Sequence, residues 1–252
     1  MSLNKCLEIL SKYYLSFLLG IRTTLIVALS GTLIGLIIGL LVGGIKAIKL
    51  DKTASSFNRV SKRIIDTILK VYIEVFRGTP MMVQAVFIYY LVYTNIVRWD
   101  KMVAAIFIIS INTGAYMAEI VRSGIQSVDV GQNEAARSLG MSSMQTMMNV
   151  ILPQAIKNAF PAIGNELIVN IKDSSVLMII SITELMFQSN SIAGTTYRFT
   201  ETYFVTAMIY LMLTSLSSII LNAIEKKMNN TETSLPQSDT NIHSIAIAKK
   251  GD

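Results

Sequence analysis

The segment Glu134-Ala-Ala-Arg-Ser-Leu-Gly140, followed after nine residues by Val150-Ile-Leu-Pro153, decides the fold of this chain. It combines helix-forming residues, a glycine suited to ending a helix, a second short amphipathic run and a proline that should break the helix. We expect the first helix to begin at Asp129 or in the region of Gly131. Ser142 and Gln145 are spaced as a capping box, which predicts that the second helix begins there. Hydrophobic stretches long enough to cross a bilayer lie on both sides. The pattern therefore predicts a polar helix-turn-helix held at a membrane surface.

Composition assigns the chain to the integral membrane proteins. Of its 252 residues, 52% are hydrophobic and only 15% are charged, and the mean hydropathy is +0.53. A soluble domain of this length would carry far more charge on its surface. The formal net charge of +6 comes from basic residues that flank hydrophobic stretches, so we expect no nucleic acid partner. The single cysteine, Cys6, excludes an internal disulfide.

Hydrophobic stretches of about 20 residues predict the transmembrane helices. Four are free of charge, and a fifth is apolar but interrupted by charged and amide side chains. The predicted spans are residues 23–45, 78–97, 102–118, 161–187 and 202–224. The expected fold is therefore an all-α integral membrane protein with about five transmembrane helices. Its expected parts are an N-terminal extracytoplasmic segment (1–22), a transmembrane domain (23–225) with a loop at about 123–160, and a disordered cytoplasmic tail (226–252).

Basic residues determine the expected orientation in the membrane. The stretch between the second and third spans carries only Arg98 and Lys101. The stretch between the first two carries eight basic residues: Lys46, Lys49, Lys52, Arg59, Lys62, Arg63, Lys70 and Arg77. Because positive charge is retained in the cytoplasm, we expect the amino terminus outside and the carboxyl terminus inside. The helix-turn-helix then projects into the cytoplasm.

Glycine recurs at every fourth position of the first span, at Gly31, Gly35, Gly39 and Gly43. Such a stripe gives a smooth groove in which another helix backbone can approach closely. We therefore expect a tight helix contact along this face. The sequence leaves open whether the contact forms within the chain or across a dimer.

Two sets of motifs resemble a known family. The pattern Glu-Ala-Ala-x3-Gly-x9-(Ile/Val)-x-Leu-Pro resembles the loop by which importer permeases of the ATP-binding cassette superfamily engage their ATPase. The segments that look like permeases for polar amino acids are Tyr72-Ile-Glu-Val-Phe-Arg-Gly-Thr-Pro-Met-Met-Val-Gln84, Gly114-Ala-Tyr-Met-Ala-Glu-Ile-Val-Arg-Ser-Gly124, Asn165-Glu-Leu-Ile and Ile171-Lys-Asp-Ser-Ser-Val-Leu177. Together the likeness runs from about residue 20 to residue 225.

The resemblance implies a type I importer fold, a bacterial cell membrane and a set of partners. The loop would sit in a cleft of a separate ATPase subunit, which would hold ATP and Mg²⁺, while this chain itself would bind no cofactor. Five helices enclose a conduit poorly, so a second permease subunit, the same or related, is expected. An extracytoplasmic amino-acid-binding protein and membrane lipid complete the expected partners. The residues expected to couple to the ATPase are Glu134, Ala135, Ala136, Gly140, Met144, Leu152 and Pro153.

Polar side chains inside the predicted spans mark a candidate substrate path, because charged groups at membrane depth usually face a cavity or a bundle interior. The candidates are Glu166, Asn170, Asp173, Ser174, Asn112 and Tyr116. On a continuous helix the first four share one face with Ser181 and Glu184. For an amino acid substrate, Asp173 or Glu166 would contact the ammonium group. The alternative is that these polar groups pair to hold helices together.

Other functions remain open at this stage. The chain lacks the Gly-x4-Gly-Lys-(Ser/Thr) phosphate loop, so it is not expected to hydrolyse ATP itself. An ion-coupled secondary transporter would suit the intramembrane carboxylates, but no inverted repeat is visible. A membrane enzyme would need a cluster of nucleophilic or metal-binding residues, and the only histidine, His243, lies in the tail. The helix-turn-helix could also lie on the membrane surface, although its polar face has few basic residues.

Overall fold

The structure, a computed structural model, describes residues 2–47 and 55–230, and all regular elements of that part are helical. A π-helical turn, Met147–Ile151, joins α6 to α7, and a 3-10 helix, Ser174–Ile180, follows α7. The α-helices are α1 (Leu3–Ala47), α2 (Ser56–Gly78), α3 (Met81–Asn95), α4 (Lys101–Gln126), α5 (Val130–Ser138), α6 (Ser143–Thr146), α7 (Leu152–Asp173), α8 (Leu185–Thr196) and α9 (Phe199–Asn230).

The helices α1 and α4 lie side by side and run in the same direction. Gly31 of α1 lies against Ile109 of α4, and Gly39 lies against Met117 further along both helices. The chain between two parallel helices must therefore return across the bundle. The pair α2 and α3 makes this return, with a bend of 116° between them.

The remaining helices complete an antiparallel arrangement. The helix α7 runs against α4, because its residue Ala155 meets Gly124 whereas its residue Asn170 meets Thr113. The helix α9 then runs against α7, because Leu221 packs on Gly164 whereas Val205 and Ile209 cluster with Ile171 further along α7. Among the described residues, three helices, α1, α4 and α9, are long and apolar enough to cross a membrane singly, and each of two bent pairs could supply one more crossing. The predicted all-α membrane fold with about five spans is confirmed.

The outer bounds of the predicted parts fall inside helices. The helix α1 begins at Leu3 and contains 45 residues, so the boundary expected at residue 22 is not a break in secondary structure. At about 1.5 Å per residue α1 is far longer than the hydrocarbon core of a bilayer. The helix α9 continues to Asn230, so residues 226–230 are helical rather than part of a disordered tail. The rest of that predicted tail lies outside the described residues.

Proline and charge were poor guides to helix ends. Pro153 was expected to break the helix before the fourth span, but α6, the π turn and α7 form one helical run that contains it, and Pro161 also lies inside α7. The Leu152 N–H donates to the Met147 carbonyl five residues back, which makes this turn wider than an α-helical turn. The helix can then continue through Pro153, although proline has no N–H to donate. The expected basic loop before the second span is largely a helix, α2.

The glycine stripe forms a contact within the chain, which we call the glycine seam: Gly31, Gly35, Gly39 and Gly43 against α4. A Cβ atom added to Gly39 would lie 2.3 Å from the Met117 Cβ atom and 2.7 Å from the Met117 backbone carbon. Added to Gly35, it would lie 2.8 Å from the Thr113 Cβ atom. Any side chain at these positions would force the two backbones apart, so close packing of α1 on α4 requires glycine there.

Candidate functional site: the coupling loop and the adjoining cavity

The loop at residues 129–153, which we call the coupling loop after the role that the resemblance implies, is ordered by its own caps. The Asp129 carboxylate accepts a hydrogen bond from the Gly131 N–H at 2.7 Å and begins α5. Gly140 then adopts φ +83°, a left-handed conformation that glycine tolerates without strain. The Ser142 side chain accepts from the Gln145 N–H at 3.2 Å, and the Gln145 side chain accepts from the Ser142 N–H at 2.9 Å. The predicted helix start, helix stop and capping box are all present.

The loop is anchored on the ends of α4 and α7. A Cβ atom added to Gly124 would lie 2.5 Å from the Ala155 carbonyl oxygen, so these two helices cross in backbone contact. Val128, Ile151 and Ala155 form a buried apolar cluster beside that crossing. The Asn158 amide also donates to the Ser127 hydroxyl at 2.9 Å. The loop therefore has little freedom to move independently of the membrane helices.

Apolar side chains protrude from the surface of the loop. Leu139 is 84% exposed, Met144 is 62% exposed and Met148 is also exposed. Of the other residues expected to couple to a partner, Ala136 is buried and Leu152 half-buried, whereas Glu134, Ala135, Gly140 and Pro153 are exposed. Exposed leucine and methionine side chains are suited to filling an irregular groove on another protein.

Arg137 joins the two short helices of the loop. It lies one turn after Glu134, yet its guanidinium donates to the Ser143 hydroxyl at 2.6 Å. This hydrogen bond crosses the turn at Gly140 and links α5 to α6. It leaves the Glu134 carboxylate exposed at the surface of the loop.

A polar cavity of ≈ 640 Å³ lies beside the loop, between α2, α4 and α7. Two of the predicted path residues, Tyr116 and Glu166, line it. The Arg77 guanidinium lies 5.5 Å from the centre of the Tyr116 ring. No hydrogen bond engages the Glu166 carboxylate in residues 2–47 and 55–230. The cavity thus presents an acidic, a basic and an aromatic group to its interior. The remaining lining residues are Glu119, Ile120, Arg122, Ser123, Gly124, Ser127, Asn158, Ala159 and Ala162.

Glu119 has partners that tie helices together. The Arg122 guanidinium donates to its carboxylate at 2.7 and 2.9 Å, and Lys46, at the end of α1, lies 3.6 Å from it. This cluster joins α1 and α4 at the wall of the cavity. The Glu119 carboxylate is therefore already neutralised within the chain.

Three of the predicted path residues are buried and bonded within the chain. The Asn170 amide donates to the Thr32 hydroxyl at 2.8 Å, and its carbonyl accepts from the Thr113 hydroxyl at 3.0 Å. Asn170 thereby links α1, α4 and α7. Asn112 donates to the Gln84 side-chain carbonyl at 2.8 Å, and Ser174 donates to the Ile171 carbonyl. Asp173, half-buried at the end of α7, is not among the residues that line the cavity.

The predicted polar face does not continue past Asp173. There the α-helix passes into a 3-10 helix, and Ser181 adopts φ 62°, so Ser181 and Glu184 do not share a helix face with Glu166. Glu184 is instead fully buried as the N-cap of α8. Its carboxylate accepts from the N–H groups of Met186 and Phe187 and from the Tyr210 hydroxyl.

Sequence reasoning missed Arg77 as a residue of the cavity. Arg77 was counted with the basic residues of a loop, but its position directly before Gly78-Thr-Pro80, where a span was expected to begin, could have identified it. The helical spacing of Tyr116, Glu119 and Ser123 does predict their shared face of α4, and all three line the cavity. Within the described residues, no group of three His, Cys, Asp or Glu side chains is arranged to hold a metal ion.

The comparisons with known proteins agree on membrane components of transport systems. The family model described as "Binding-protein-dependent transport system inner membrane component" matches residues 53–230. The glutamine transport system permease protein GlnP of Escherichia coli K12 is 40% identical over 167 residues, which cover 66% of this chain and 76% of that protein. A putative glutamine transport system permease protein of Rickettsia felis is 35% identical over 223 residues, covering 88% of this chain and 98% of that one.

Solved structures agree with the fold. A crystal structure of an amino acid ABC transporter with histidines contains a chain that matches with a TM-score of 0.76 and 38% identity, over 86% of this chain and 96% of that chain. A chain of the MetNI methionine ABC transporter, in an inward-facing conformation, matches with a TM-score of 0.71 at 19% identity, over 86% and 97%. The latter shows a likeness of fold alone.

Proposed function

This chain belongs to the family of binding-protein-dependent transport system inner membrane components, and from that premise we propose that it is the membrane-spanning subunit of an ATP-driven importer for a polar amino acid. Its partners would be an ATP-binding cassette ATPase, a second permease subunit and an extracytoplasmic amino-acid-binding protein. ATP and Mg²⁺ would be held by the ATPase. The names of the relatives, glutamine permeases among them, support the class of substrate.

One observation carries this proposal: the loop tip and the cavity belong to the same continuous helical run. Residues 143–173 form one helical run, with Met144 exposed near its start and Glu166 in the cavity near its end. The two lie about 33 Å apart along that run at 1.5 Å per residue. A force applied to the loop by a nucleotide-driven partner would therefore move the wall of the cavity. A secondary transporter has no use for such a lever.

The chemistry of the cavity suits an amino acid. A zwitterionic substrate needs an acceptor for its ammonium group and a donor for its carboxylate. Glu166 supplies the first and Arg77 the second, while Tyr116 offers a hydroxyl and a ring face. This assignment favours Glu166 over Asp173 as the ammonium ligand. Asn112, Asn170 and Ser174 would position the helices that form the cavity.

We propose that the coupling loop and the carboxyl terminus lie in the cytoplasm. The support comes from charge and from helix direction. The basic stretch between α1 and α3 follows the end of α1, and because α1 and α4 are parallel, the loop after α4 lies at that same end. The loop would thus be retained on the side where ATP is available.

The test is transport by the reconstituted assembly. The chain, co-expressed with its partner subunits, is placed in proteoliposomes, and uptake of a panel of polar amino acids is measured with ATP and with an ion gradient separately. We expect uptake that requires ATP and the binding protein and that survives collapse of the ion gradient. Uptake that follows the gradient and ignores ATP would instead identify an ion-coupled transporter.

The variant Leu139→Ala tests the docking role of the loop. Truncating one well-packed apolar anchor should weaken association with the ATPase by about 1–2 kcal/mol, roughly 5- to 30-fold. Ile96→Ala is the matched control, because Ile96 is 75% exposed but lies at the opposite end of the bundle. Equal ATPase affinity in both variants would refute docking through Leu139.

A further inference from the structure

The helix α2 differs from the other long helices in how it is packed. Its carboxyl-terminal half contacts α1 and α4, where Ile73 is buried beside Val42 and Ala118 and the Tyr72 hydroxyl donates to the Ile111 carbonyl. Its amino-terminal half, residues 56–68, contains no fully buried residue. Ser61, Lys62 and Asp66 are half-buried in this half, but its large apolar side chains have no packing partner within the described part of the chain.

The exposed half of α2 has an apolar face with basic edges. With 3.6 residues per turn, its large apolar side chains fall within a sector of about 140°. Those side chains are Phe57, Val60, Ile64, Ile65 and Ile68, and all five are exposed. Lys62 and Arg63 lie about 60° beyond the two edges of that sector, one on each side. Basic side chains in that position can reach the headgroups while the apolar face is immersed in acyl chains.

The level of this half along the bundle fits the surface of the membrane. Ile73 of α2 lies at the level of Ala118, and Lys46 at the end of α1 meets Glu119 one residue further along α4. Charged groups begin here, so the hydrocarbon region ends near this level. Further along α2, the Phe76 carbonyl accepts from the Asn112 amide, six residues before Ala118 on α4, so residues 56–68 lie at or beyond this level. An apolar face at this level lies at the boundary between acyl chains and headgroups.

Charge complementarity selects the occupant. Between residues 56 and 74 the helix carries Arg59, Lys62, Arg63 and Lys70 against Asp66 and Glu74, an excess of two positive charges. Lys62 is half-buried and pairs with Asp66, whereas the exposed pair of Lys70 with Glu74, 3.5 Å apart, is of the weak kind. Arg63 is exposed at the other edge of the apolar face. A protein groove would need only the apolar face, whereas anionic phospholipid satisfies the apolar face and the Arg63 edge together.

We propose that residues 56–68 lie at the surface of the cytoplasmic leaflet and bind anionic phospholipid headgroups through Arg63. Only the choice of leaflet depends on the orientation proposed above. The lipid contact would fix the angle of α2 before the 116° bend that leads into α3. Arg77, at the end of the same helix, faces the cavity, so lipid composition would act on the cavity through α2.

The first measurement determines what covers the apolar face. The full chain with Cys6→Ser and Ile64→Cys carries a fluorophore at position 64 and is placed, with its co-purifying subunits, in nanodiscs of phosphatidylcholine with or without phosphatidylglycerol. We expect quenching by brominated lipid, protection from iodide, and deeper insertion when phosphatidylglycerol is present. Protection from both quenchers would mean that a protein subunit covers the face, and quenching by iodide would mean that it lies in water. Either result overturns the proposal.

The second measurement tests the basic edge and is independent of transport. Spin-labelled phosphatidylglycerol and phosphatidylcholine report the ratio of their association constants with the protein. Near an anionic surface each basic residue contributes about 1 kcal/mol, so Arg63→Gln should lower this ratio about fivefold. Arg98→Gln, which removes an exposed arginine between α3 and α4, should change it less than about twofold. Equal effects of the two variants, or none, would overturn the proposal even if uptake proceeds normally.

Discussion

The glycine seam and the cavity lie on neighbouring faces of α4, and their polar groups differ in their partners. Along the seam the backbones of α1 and α4 touch, and the Asn170 amide donates to Thr32 on α1 and accepts from Thr113 on α4. In the cavity, no hydrogen bond within the described residues engages the Glu166 carboxylate, and Arg77, which lies against the Tyr116 ring, attracts it electrostatically. The seam is closed, whereas the cavity is open to a ligand.

This difference separates two meanings of a polar residue at membrane depth. A buried amide with satisfied hydrogen bonds specifies how helices pack, and its loss is expected to appear as a loss of stability. A carboxylate without a partner costs stability, and retaining it suggests that something else binds there. Stability and transport should therefore respond to different substitutions, and each of the following experiments measures both.

The largest effect is expected from one methyl group in the glycine seam. Gly39→Ala would place its Cβ 2.3 Å from the Met117 Cβ and 2.7 Å from backbone, so α1 must shift away from α4. Overpacking against backbone should cost about 3 kcal/mol. Gly44→Ala is the matched control, since no described residue outside its own stretch of helix has an atom within 4 Å of the added Cβ, and helix propensity alone should stabilise it by up to about 1 kcal/mol. Thermal unfolding in detergent measures both, and similar melting temperatures would refute the close contact.

The next largest effect is expected from a substitution in the cavity. Glu166→Gln removes a charge without changing shape, and loss of a charge-assisted hydrogen bond worth about 1.5–3 kcal/mol should raise the KM for uptake roughly 10- to 100-fold. Stability should stay within about 0.5 kcal/mol of the native value, because no hydrogen bond within the described residues is broken. Glu201→Gln in the first turn of α9 is the control. A lowered melting temperature with unchanged KM would make Glu166 a structural residue.

Asn170→Ala tests the hydrogen bonds that join α7 to the two helices of the glycine seam. It leaves the Thr113 hydroxyl without its partner and should lower the free energy of unfolding by about 1–2 kcal/mol. The KM of protein that remains folded should change little. Asn165→Ala, an exposed amide on the same helix, serves as the control for helix propensity. If Asn170→Ala keeps full stability but loses substrate affinity, Asn170 belongs to the substrate path, as its position in the sequence first suggested.

The sequence predicted the elements whose causes are local. The helix start at Asp129, the stop at Gly140 and the capping box at Ser142 depend on neighbouring residues, and all three are present. The five-span fold followed from hydropathy, which needs no knowledge of tertiary contacts. The glycine stripe also predicted close packing, but only the structure identifies α4 as its partner.

The errors arose where tertiary structure overrides a local rule. Pro153 usually ends a helix, yet the π turn before it lets the helix continue. The polar period from Glu166 to Glu184 is genuine, but a 3-10 helix and a left-handed Ser181 interrupt it, and neither has a marker in the sequence. The basic residues of α2 led to its assignment as a loop, although apolar residues recur at helical spacing from Val60 to Val71. The place of Arg77 in the cavity was missed for the same reason.

The smallest effect on stability is expected in the coupling loop, because its helix caps depend on neighbouring residues and not on the glycine seam or the cavity. Ser142→Ala removes the acceptor for the Gln145 N–H and should destabilise the start of α6 by about 1 kcal/mol. Global stability should not change, because Ser142 is exposed and outside the packed core. Hydrogen exchange at Gln145 should accelerate about fivefold, and the Ser138→Ala control, whose hydroxyl bonds only its own helix, should not. Faster exchange that spreads into α7 beyond Pro153 would mean that the loop and the membrane helix unfold as one unit. The Ser142 cap, and not the apolar cluster of Val128, Ile151 and Ala155, would then be what orders the loop.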